Sequence, residues 1–498
     1  MADTRAVDDL AFSPSALREA IAAVPKRACL GGDWVVSSAG DFEVLDPSNG
    51  QLLASVADCT PQLGEEALAI ASATQQSWAD TAPEFRASIL RRAHALLIRR
   101  SDEFAMIIAA ELGKPFAEAF GEVRYAGDYL LWFAEETRRI GGAWSISPDG
   151  SSRILTMRGP VGPTLMITPW NFPLAMIARK VAPAIAAGCT AVVKPAAETP
   201  LSALALADLL IESGLPPGVL SVLPTKHAAA LVGPLMRDGR LRKVTFTGST
   251  SVGRGLMEQA SEQILRVSLE LGGNAPFLVM QDADMTVAVA SAMTAKLRNS
   301  GQACTAANRF LVHSSRHEEF VERFSDAMDA VVMGPAIHAD AQLGPLISLR
   351  EATRVHALVS QSVENGAQVT TKRRWDPEEP SRFFPPTVVD GVSAESTLMH
   401  EEVFGPVAPV ITFGSVEEAL TLANSTPYGL ASYVMTQDQR TALHLSERLE
   451  VGLVGVNRGL VSHASAPFGG VKQSGLGREG GGEGIEEYLE VRAISVDG

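Results

Sequence analysis

The chain predicts an α/β fold built on parallel sheets. Three observations lead there. From Gly162 to Ala260, short apolar runs alternate with helical patterns. A second alternating block opens at Pro276-Phe-Leu-Val-Met280 and reaches Leu430-Ala-Ser-Tyr-Val434. Between them Leu271-Gly-Gly273 breaks both patterns, so two units are expected to meet there. Strands separated by helices of this length need crossover connections, which bury a parallel sheet on both faces.

The elements follow in order. Residues 1–28 read as a polar lead-in with a short amphipathic helix near Ser15 to Val24. Met1 to Pro25 mixes acids and bases without an apolar core, unlike a secretory signal or an Arg-rich presequence. Gly31-Gly-Asp-Trp-Val and Phe42-Glu-Val-Leu-Asp-Pro-Ser-Asn-Gly50 read as short strands closed by a turn, because Asp-Pro and Asn-Gly are strong turn signals. Glu65 to about Arg139 is helical, with apolar residues three and four apart, and Gly113-Lys-Pro115 ends one helix. Arg153 to Pro160 reads as a strand. The first alternating block has strands at Gly162–Thr168, Thr190–Lys194, Val219–Leu223 and Lys243–Thr247. Its helices are Ala175–Ala187, Leu201–Ser213, His227–Met236 and Ser251–Ala260. The second has strands at Pro276–Met280, Arg309–His313, Gln368–Thr371, Val407–Phe413 and Leu430–Val434. Its helices are Val287–Asn299, Glu318–Met333, Glu351–Asn365 and Ser415–Asn424, with a Pro-rich loop before Val407. Tyr488 to Val496 is a terminal strand beyond both blocks, expected to pair with another element or another subunit.

Composition narrows the function. The 498 residues are 46% hydrophobic and 20% charged, with a formal net charge of −15. That size supports two or three domains or subdomains. The acidic balance argues against nucleic-acid and anionic-membrane partners, and no apolar stretch is long enough to span a bilayer. The four cysteines, Cys29, Cys59, Cys189 and Cys304, are scattered without a CxxC pair or a Cys/His cluster. No metal site and no disulfide framework is expected, and reduced thiols fit the cytoplasm.

The chemistry concentrates at strand ends and Gly-rich turns. Cys304, in Asn299-Ser-Gly-Gln-Ala-Cys304, offers a thiol nucleophile. Glu270, in Leu269-Glu-Leu-Gly-Gly273, offers a base in a Gly-broken turn. Asn171, in the rigid bend Pro169-Trp-Asn-Phe-Pro173, offers an amide donor; holding an oxyanion in this way is worth ~3–4 kcal/mol. Lys194 ends a strand, where α/β sheets hold ligands. In Phe246-Thr-Gly-Ser-Thr-Ser-Val-Gly253, Gly248 permits a tight turn, and Ser249 with the following helix N-terminus can face a phosphate. Glu402, in His400-Glu-Glu-Val-Phe-Gly-Pro406, can accept from a sugar hydroxyl. Each residue alone is more ordinary as a core thiol, turn residue or surface charge.

Together with Gly301-Gln-Ala-Cys304 and Pro467-Phe-Gly-Gly-Val-Lys472, these motifs resemble the aldehyde dehydrogenase superfamily, in order and spacing, from about Gly31 to Ile494. Ile177-Ala-Arg-Lys180, Ser268 to Phe277, Leu297-Arg-Asn-Ser-Gly301 and Ser474-Gly-Leu-Gly-Arg-Glu479 are most similar to succinate-semialdehyde dehydrogenases. The resemblance implies two Rossmann-like parallel-sheet domains and a small oligomerisation β-segment. Residues 29–139 and 159–271 would bind cofactor, 272–457 would carry the nucleophile, and 458–482 would form an active-site loop region. Residues 140–158 and 483–498 would join a homodimer or homotetramer. It further implies attack by Cys304, an oxyanion held by Asn171 and the Cys304 N–H, and water activated by Glu270. Lys194 and Glu402 would hold cofactor riboses, Gly248 and Ser249 the pyrophosphate, and Trp170, Gly272 and Phe404 would complete that site. Arg179, Arg298 and Ser462 would clamp the distal carboxylate of succinate semialdehyde, as two guanidinium groups and a hydroxyl suit a planar anion. Cytoplasmic GABA degradation is the implied setting.

Two departures from the family matter. Ala306 occupies the position of a second cysteine that forms a redox switch in some relatives, so no such disulfide is expected. Ala197 stands where NAD-preferring relatives often carry Glu, which favours NADP with NAD tolerated. Glutarate semialdehyde remains open, since one methylene is worth only ~1–3 kcal/mol of discrimination. Other aliphatic aldehydes, a cofactor-independent Cys acyltransferase or hydrolase, and a silent binding protein are the competing readings.

Overall fold

The computed structural model describes residues 11–497, so residues 1–10 of the lead-in lie outside the described residues. The lead-in helix is Pro14–Ala23. Ser13 Oγ accepts from the Ala16 N–H, and Pro14 occupies the first turn, where no amide is needed.

Five strands of an eight-stranded sheet run parallel, in the order Arg266–Glu270, Lys243–Thr247, Thr164–Ile167, Ala191–Lys194 and Leu220–Val222. Antiparallel strands close its edges: Gly475–Leu476 on one side, then Ala28–Leu30 and Asp33–Val35 on the other. Gly31 and Gly32, expected to open a strand, form the turn between these last two, with φ of 57° and 101°. Positive φ at both positions suits a two-residue hairpin turn. One face of the sheet is covered by Pro173–Ala187 and Leu201–Glu212, packed in turn beneath Pro83–Arg99, Ser101–Leu112 and Phe116–Glu136. Pro61–Ala79, Ala228–Arg237 and Thr250–Ser261 cover the other.

The seven-stranded sheet runs Gln368–Val369, Thr387–Asp390, Val407–Phe413, Ala307–His313, Ala275–Val279, Ala431–Met435 and Leu453–Val456. All but Gln368–Val369 are parallel to their neighbours. Thr387–Asp390 lies in what reads as a Pro-rich loop; its short Thr-Val-Val run is buried between sheet and helices. Leu489–Asp497 pairs antiparallel with Ser152–Pro160 of the same chain, and Ala143–Ile146 completes a three-stranded sheet.

One sequence expectation needs correcting near the site. Glu270 is not in a turn: it is the last residue of Arg266–Glu270, paired with Thr247 on one side and Gly475 on the other. A carboxylate closing a buried strand breaks the apolar pattern from which strands are read. The carboxyl ends of the parallel strands therefore bring Thr168–Pro173, Lys194, Gly248 and Glu270 to one edge of the sheet, where such folds bind ligands.

Candidate active site

The segment before Cys304 is bent sharply. Asn299, Ser300 and Gly301 all take positive φ (52°, 56° and 76°). A non-glycine residue held there costs about 1–3 kcal/mol, so the surroundings must impose the shape. The Asn299 N–H donates to Glu118 (2.8 Å), and its side-chain amide donates to the Asn171 and Gln302 carbonyls (2.9 and 3.1 Å). Ser300 Oγ donates to the Gly344 carbonyl (2.9 Å). A Cβ on Gly301 would lie 2.2 Å from the Gly405 carbonyl oxygen, so this turn is seated directly on the Glu402–Pro406 segment. Of the four cysteines only Cys304 is partly exposed. Burial pushes its thiol up to about 12, against the pull of Arg179 and, more weakly, Arg298. The resting group is a thiol, and attack needs a base.

Asn171 is placed to serve that chemistry. Its side-chain nitrogen donates to the Gln302 carbonyl at 3.0 Å, two residues before Cys304, leaving a second N–H for a substrate oxygen. The carbonyl of Asn171 is itself held by Lys114 Nζ (3.2 Å) and Asn299. The Cys304 backbone N–H makes no hydrogen bond among the described residues. Two free donors thus stand beside the thiol, the requirement for an oxyanion site.

Glu270 is buried, and its Oε2 has no hydrogen-bond partner. Desolvation, reinforced by the Glu479 carboxylate, holds its carboxyl well above the usual range, although Arg179 and Lys180 pull it down. Glu479 ion-pairs with both Arg179 and Lys180, and Lys180 Nζ also donates to Thr245 Oγ1 (3.1 Å). The paired glycines after Glu270 have distinct neighbours. A Cβ on Gly272 would sit 2.7 Å from Glu402 Oε2, whereas one on Gly273 would sit 2.4 Å from the Cys304 carbonyl oxygen.

The residues expected at the cofactor lie at the carboxyl edge of the eight-stranded sheet, with Lys194 and Gly248, and on the Glu402–Phe404 segment, whose Glu402 meets Gly272 and Gly273. The helix Thr250–Ser261 starts after Ser249, which makes no side-chain cap, so its first amides remain available to an anion. A Cβ on Gly248 would strike the Phe246 ring at 2.4 Å. Glu402 Oε1 accepts from the Gly273 N–H (3.2 Å), and burial raises its carboxyl to about 7. The Trp170 and Phe404 rings meet edge to face, 5.5 Å apart, with Phe404 at φ 50°. Lys194 is nearly buried, its ammonium destabilised by burial and supported by Glu198. Ala197 and Glu198 line a neighbouring recess with Lys226. These residues suit a dinucleotide: available helix amides for phosphate, carboxylate and ammonium for sugar hydroxyls.

The three residues expected to clamp a carboxylate divide. Arg298 and Ser462 line a cavity of about 380 Å³ together with Glu118, Tyr125, Phe172 and His463. The Arg298 guanidinium stacks on Phe172 (4.5 Å to the ring centre) and approaches Tyr125 (5.9 Å). Arg179 is 1% exposed, outside that lining, stacked on Phe468 at 4.2 Å and paired with Glu479. Its Nη2 is buried without a partner. The contacts of Arg179 are those of an ion-paired helix residue.

Sequence reading assigned no role to Glu479, Lys180 or Lys114. Glu479 follows a Gly-rich run with no periodicity, and its partners are 299 and 300 residues away. Lys114 pairs with Glu122, which also accepts from the Leu174 and Ala175 N–H groups at the start of the Asn171-linked helix. The Gly-Lys-Pro signal marked Lys114 only as a helix end.

Comparison with known proteins shows the family and the fold. The Aldehyde dehydrogenase family model matches residues 34–494. A succinate-semialdehyde dehydrogenase of Paenarthrobacter nicotinovorans is 51% identical over 445 residues, covering 89% of this chain and 99% of that one. A probable succinate-semialdehyde dehydrogenase [NADP(+)] of Sinorhizobium fredii is 43% identical, covering 92% and 93%. The crystal structure of succinate-semialdehyde dehydrogenase from Burkholderia pseudomallei superposes with a TM-score of 0.93 at 42% identity, covering 98% and 99%.

Proposed function

This chain belongs to the aldehyde dehydrogenase family, and on that premise we propose that it oxidises succinate semialdehyde to succinate with NAD(P). One observation carries the substrate assignment: Arg298, which makes no ion pair among the described residues, lines the same cavity as Ser462 and lies close enough to act on the Cys304 thiol. A guanidinium there, free of a direct ion pair although it shares its field with Glu118, favours an aldehyde with an anionic far end.

Cys304 Sγ loses its proton to the ionised form of Glu270, directly or through water, and bonds to the aldehyde carbon; Glu270 passes that proton to solvent and is ionised again before deacylation. The oxygen that gains charge is held by the Asn171 amide and the Cys304 N–H. When bound, the oxidised nicotinamide supplies the hydride acceptor. The acyl group then remains on Cys304 as a thioester. Glu270, with one oxygen unpartnered, takes a proton from water; that water attacks the acyl carbon, the C–S bond breaks and succinate leaves. A carboxyl raised above its usual range is the stronger base for this step. Arg298 and Ser462 hold the distal carboxylate, and Arg179 adds positive field from one layer deeper through its unpaired Nη2.

Lys194 and Glu402 would hold the cofactor riboses and Gly248–Ser249 the pyrophosphate, with Trp170, Gly272 and Phe404 around them. NADP is the preferred form, because Ala197 presents no carboxylate to a 2′-phosphate and Lys194 and Lys226 stand near; NAD is accepted. Residues 29–139 and 159–271 form the cofactor unit and 272–457 the nucleophile unit, with 458–482 closing over the site. The proposed oligomerisation segments, 140–158 and 483–498, supply most of the three-stranded sheet, which exposes Trp144, Ile146, Met157 and Val491 and so supports a dimer or a tetramer. Among the described residues no helix is long and apolar enough to cross a membrane.

Initial rates on succinate semialdehyde, glutarate semialdehyde and neutral aliphatic aldehydes, each with NAD and NADP, test the reading. Reduced nicotinamide must appear fastest with the carboxylated aldehydes. Turnover without NAD(P), or preference for neutral aldehydes, would overturn it.

A further inference from the structure

Arg298 is not alone in the substrate cavity. Arg124, on the helix Phe116–Glu136, lines it as well. The Arg124 guanidinium rests over the Phe120 ring, 5.0 Å from its centre, and the residue is exposed. Arg298 is only partly exposed, so the two mark an outer and an inner level of one cavity. Among the described residues neither makes an ion pair or a side-chain hydrogen bond. The nearest acids on that helix have other partners: Glu122 is held by Lys114 and two backbone amides, and Glu118 accepts from the Asn299 N–H and shares its field with Lys114 and Arg298. Asp128, one turn beyond Arg124, also lines the cavity and shares its field with His463, His94 and, more weakly, Arg124, without an ion-pair contact to any of them among the described residues.

The cavity also exceeds the need of a four-carbon substrate. Its volume of about 380 Å³ lies in the range that takes drug-sized ligands, roughly 300–1,000 Å³, while a four-carbon oxo acid has few heavy atoms. A carboxylate carried further from Cys304 by extra methylenes passes the Arg298 level and approaches the exposed one. There a second guanidinium, preset by its aromatic support, offers the same forked donor geometry.

We propose that Arg124 is a second carboxylate-binding residue of this cavity, one that admits ω-oxo acids one or two methylenes longer than succinate semialdehyde. The inference rests on the proposed function, and it makes substrate length a property of two stacked arginines.

Two measurements test it. Rates are compared for four-, five- and six-carbon ω-oxo acids in the wild type, Arg124→Met and Arg124→Lys. Binding of the matching dicarboxylates, succinate, glutarate and adipate, is measured by calorimetry on the same proteins. Arg124→Met is expected to lower kcat/KM for the longer acids by about tenfold, as for loss of one partly solvated charged hydrogen bond, through KM, with succinate semialdehyde nearly unchanged. Lys should restore part of the loss. Dicarboxylate affinity should follow the same order. Equal effects at all three lengths, or none in either assay, would overturn the role of Arg124. Loss of glutarate and adipate binding in an enzyme that oxidises no aldehyde would uphold it and refute the proposed function instead.

Discussion

Replacing Gly273 by Ala should disable Cys304 without touching any reacting group. The added methyl carbon would stand 2.4 Å from the Cys304 carbonyl oxygen and 3.3 Å from Leu430 Cβ. Real Cβ contacts essentially never fall below 3.0 Å, so the Cys304 backbone must retreat by at least about 0.6 Å, given that cores resist compression. It has little room. Gly301, three residues earlier, is seated on the Gly405 backbone, and Asn299 and Gln302 are tied by hydrogen bonds. The shift would fall on the nucleophile and on one of the two oxyanion donors. Misplacement of about 1 Å can cost roughly 100-fold in rate, and overpacking typically costs about 1–3 kcal/mol of stability. Gly273→Ala should therefore lower kcat by one to two orders of magnitude, while cofactor affinity changes little. Gly272→Ala makes the contrast. Its methyl would meet Glu402 Oε2, the far end of a side chain, so its cost should appear in the KM for cofactor. Steady-state kinetics, cofactor titration by fluorescence and the rate of Cys304 alkylation separate the two. Unchanged kcat and alkylation in Gly273→Ala, in a folded protein, would refute the argument.

Four further substitutions have definite outcomes. Glu270→Gln should give a burst of reduced cofactor and then stall as the thioester; a full steady-state rate would remove Glu270 as the deacylation base. The same variant checks the pH logic. A carboxyl raised in the folded state stays protonated while the unfolded one ionises, so its burial costs more stability as pH rises through that window. The Tm difference between Glu270→Gln and wild type should grow toward alkaline pH, and a difference that shrinks would contradict the sign. Arg298→Met should raise KM for succinate semialdehyde far more than for a neutral aldehyde. Arg179→Met removes one partner of a buried ion pair and should cost about 3–5 kcal/mol of stability, measured by denaturant unfolding; loss of substrate affinity at unchanged stability would make it a clamp residue only. Ala197→Glu should shift preference toward NAD by repelling a 2′-phosphate, read from the ratio of kcat/KM values.

The residues proposed to do chemistry are legible because their signals are local. Alternating apolar runs set the parallel sheets, and strand ends then put Lys194 and Gly248 on one edge. The Gly-Gly pair, the Pro-flanked Asn171 and the isolated Cys304 stood out against ordinary sequence. Glu270 was found as a residue but misplaced, since a carboxylate that ends a buried strand interrupts the pattern defining the strand. Thr387–Asp390 was missed for a related reason: four residues after a Pro pair carry too little periodicity to read.

What each residue touches came from elsewhere. Arg179 and Arg298 look alike in sequence, each a cation among helical residues. Folding gives one to Glu479, 300 residues away, and leaves the other unpaired in a cavity. Gly272 and Gly273 are adjacent and chemically identical, yet one makes room for Glu402 and the other for Cys304. Hydrophobic periodicity is a property of neighbours along the chain. Ion pairing, desolvation and close approach depend on distances across it, so the fold class and the proposed nucleophile can be read from the string of residues. The field around the base, the fate of each arginine and the size of the cavity exist only once the chain has closed on itself.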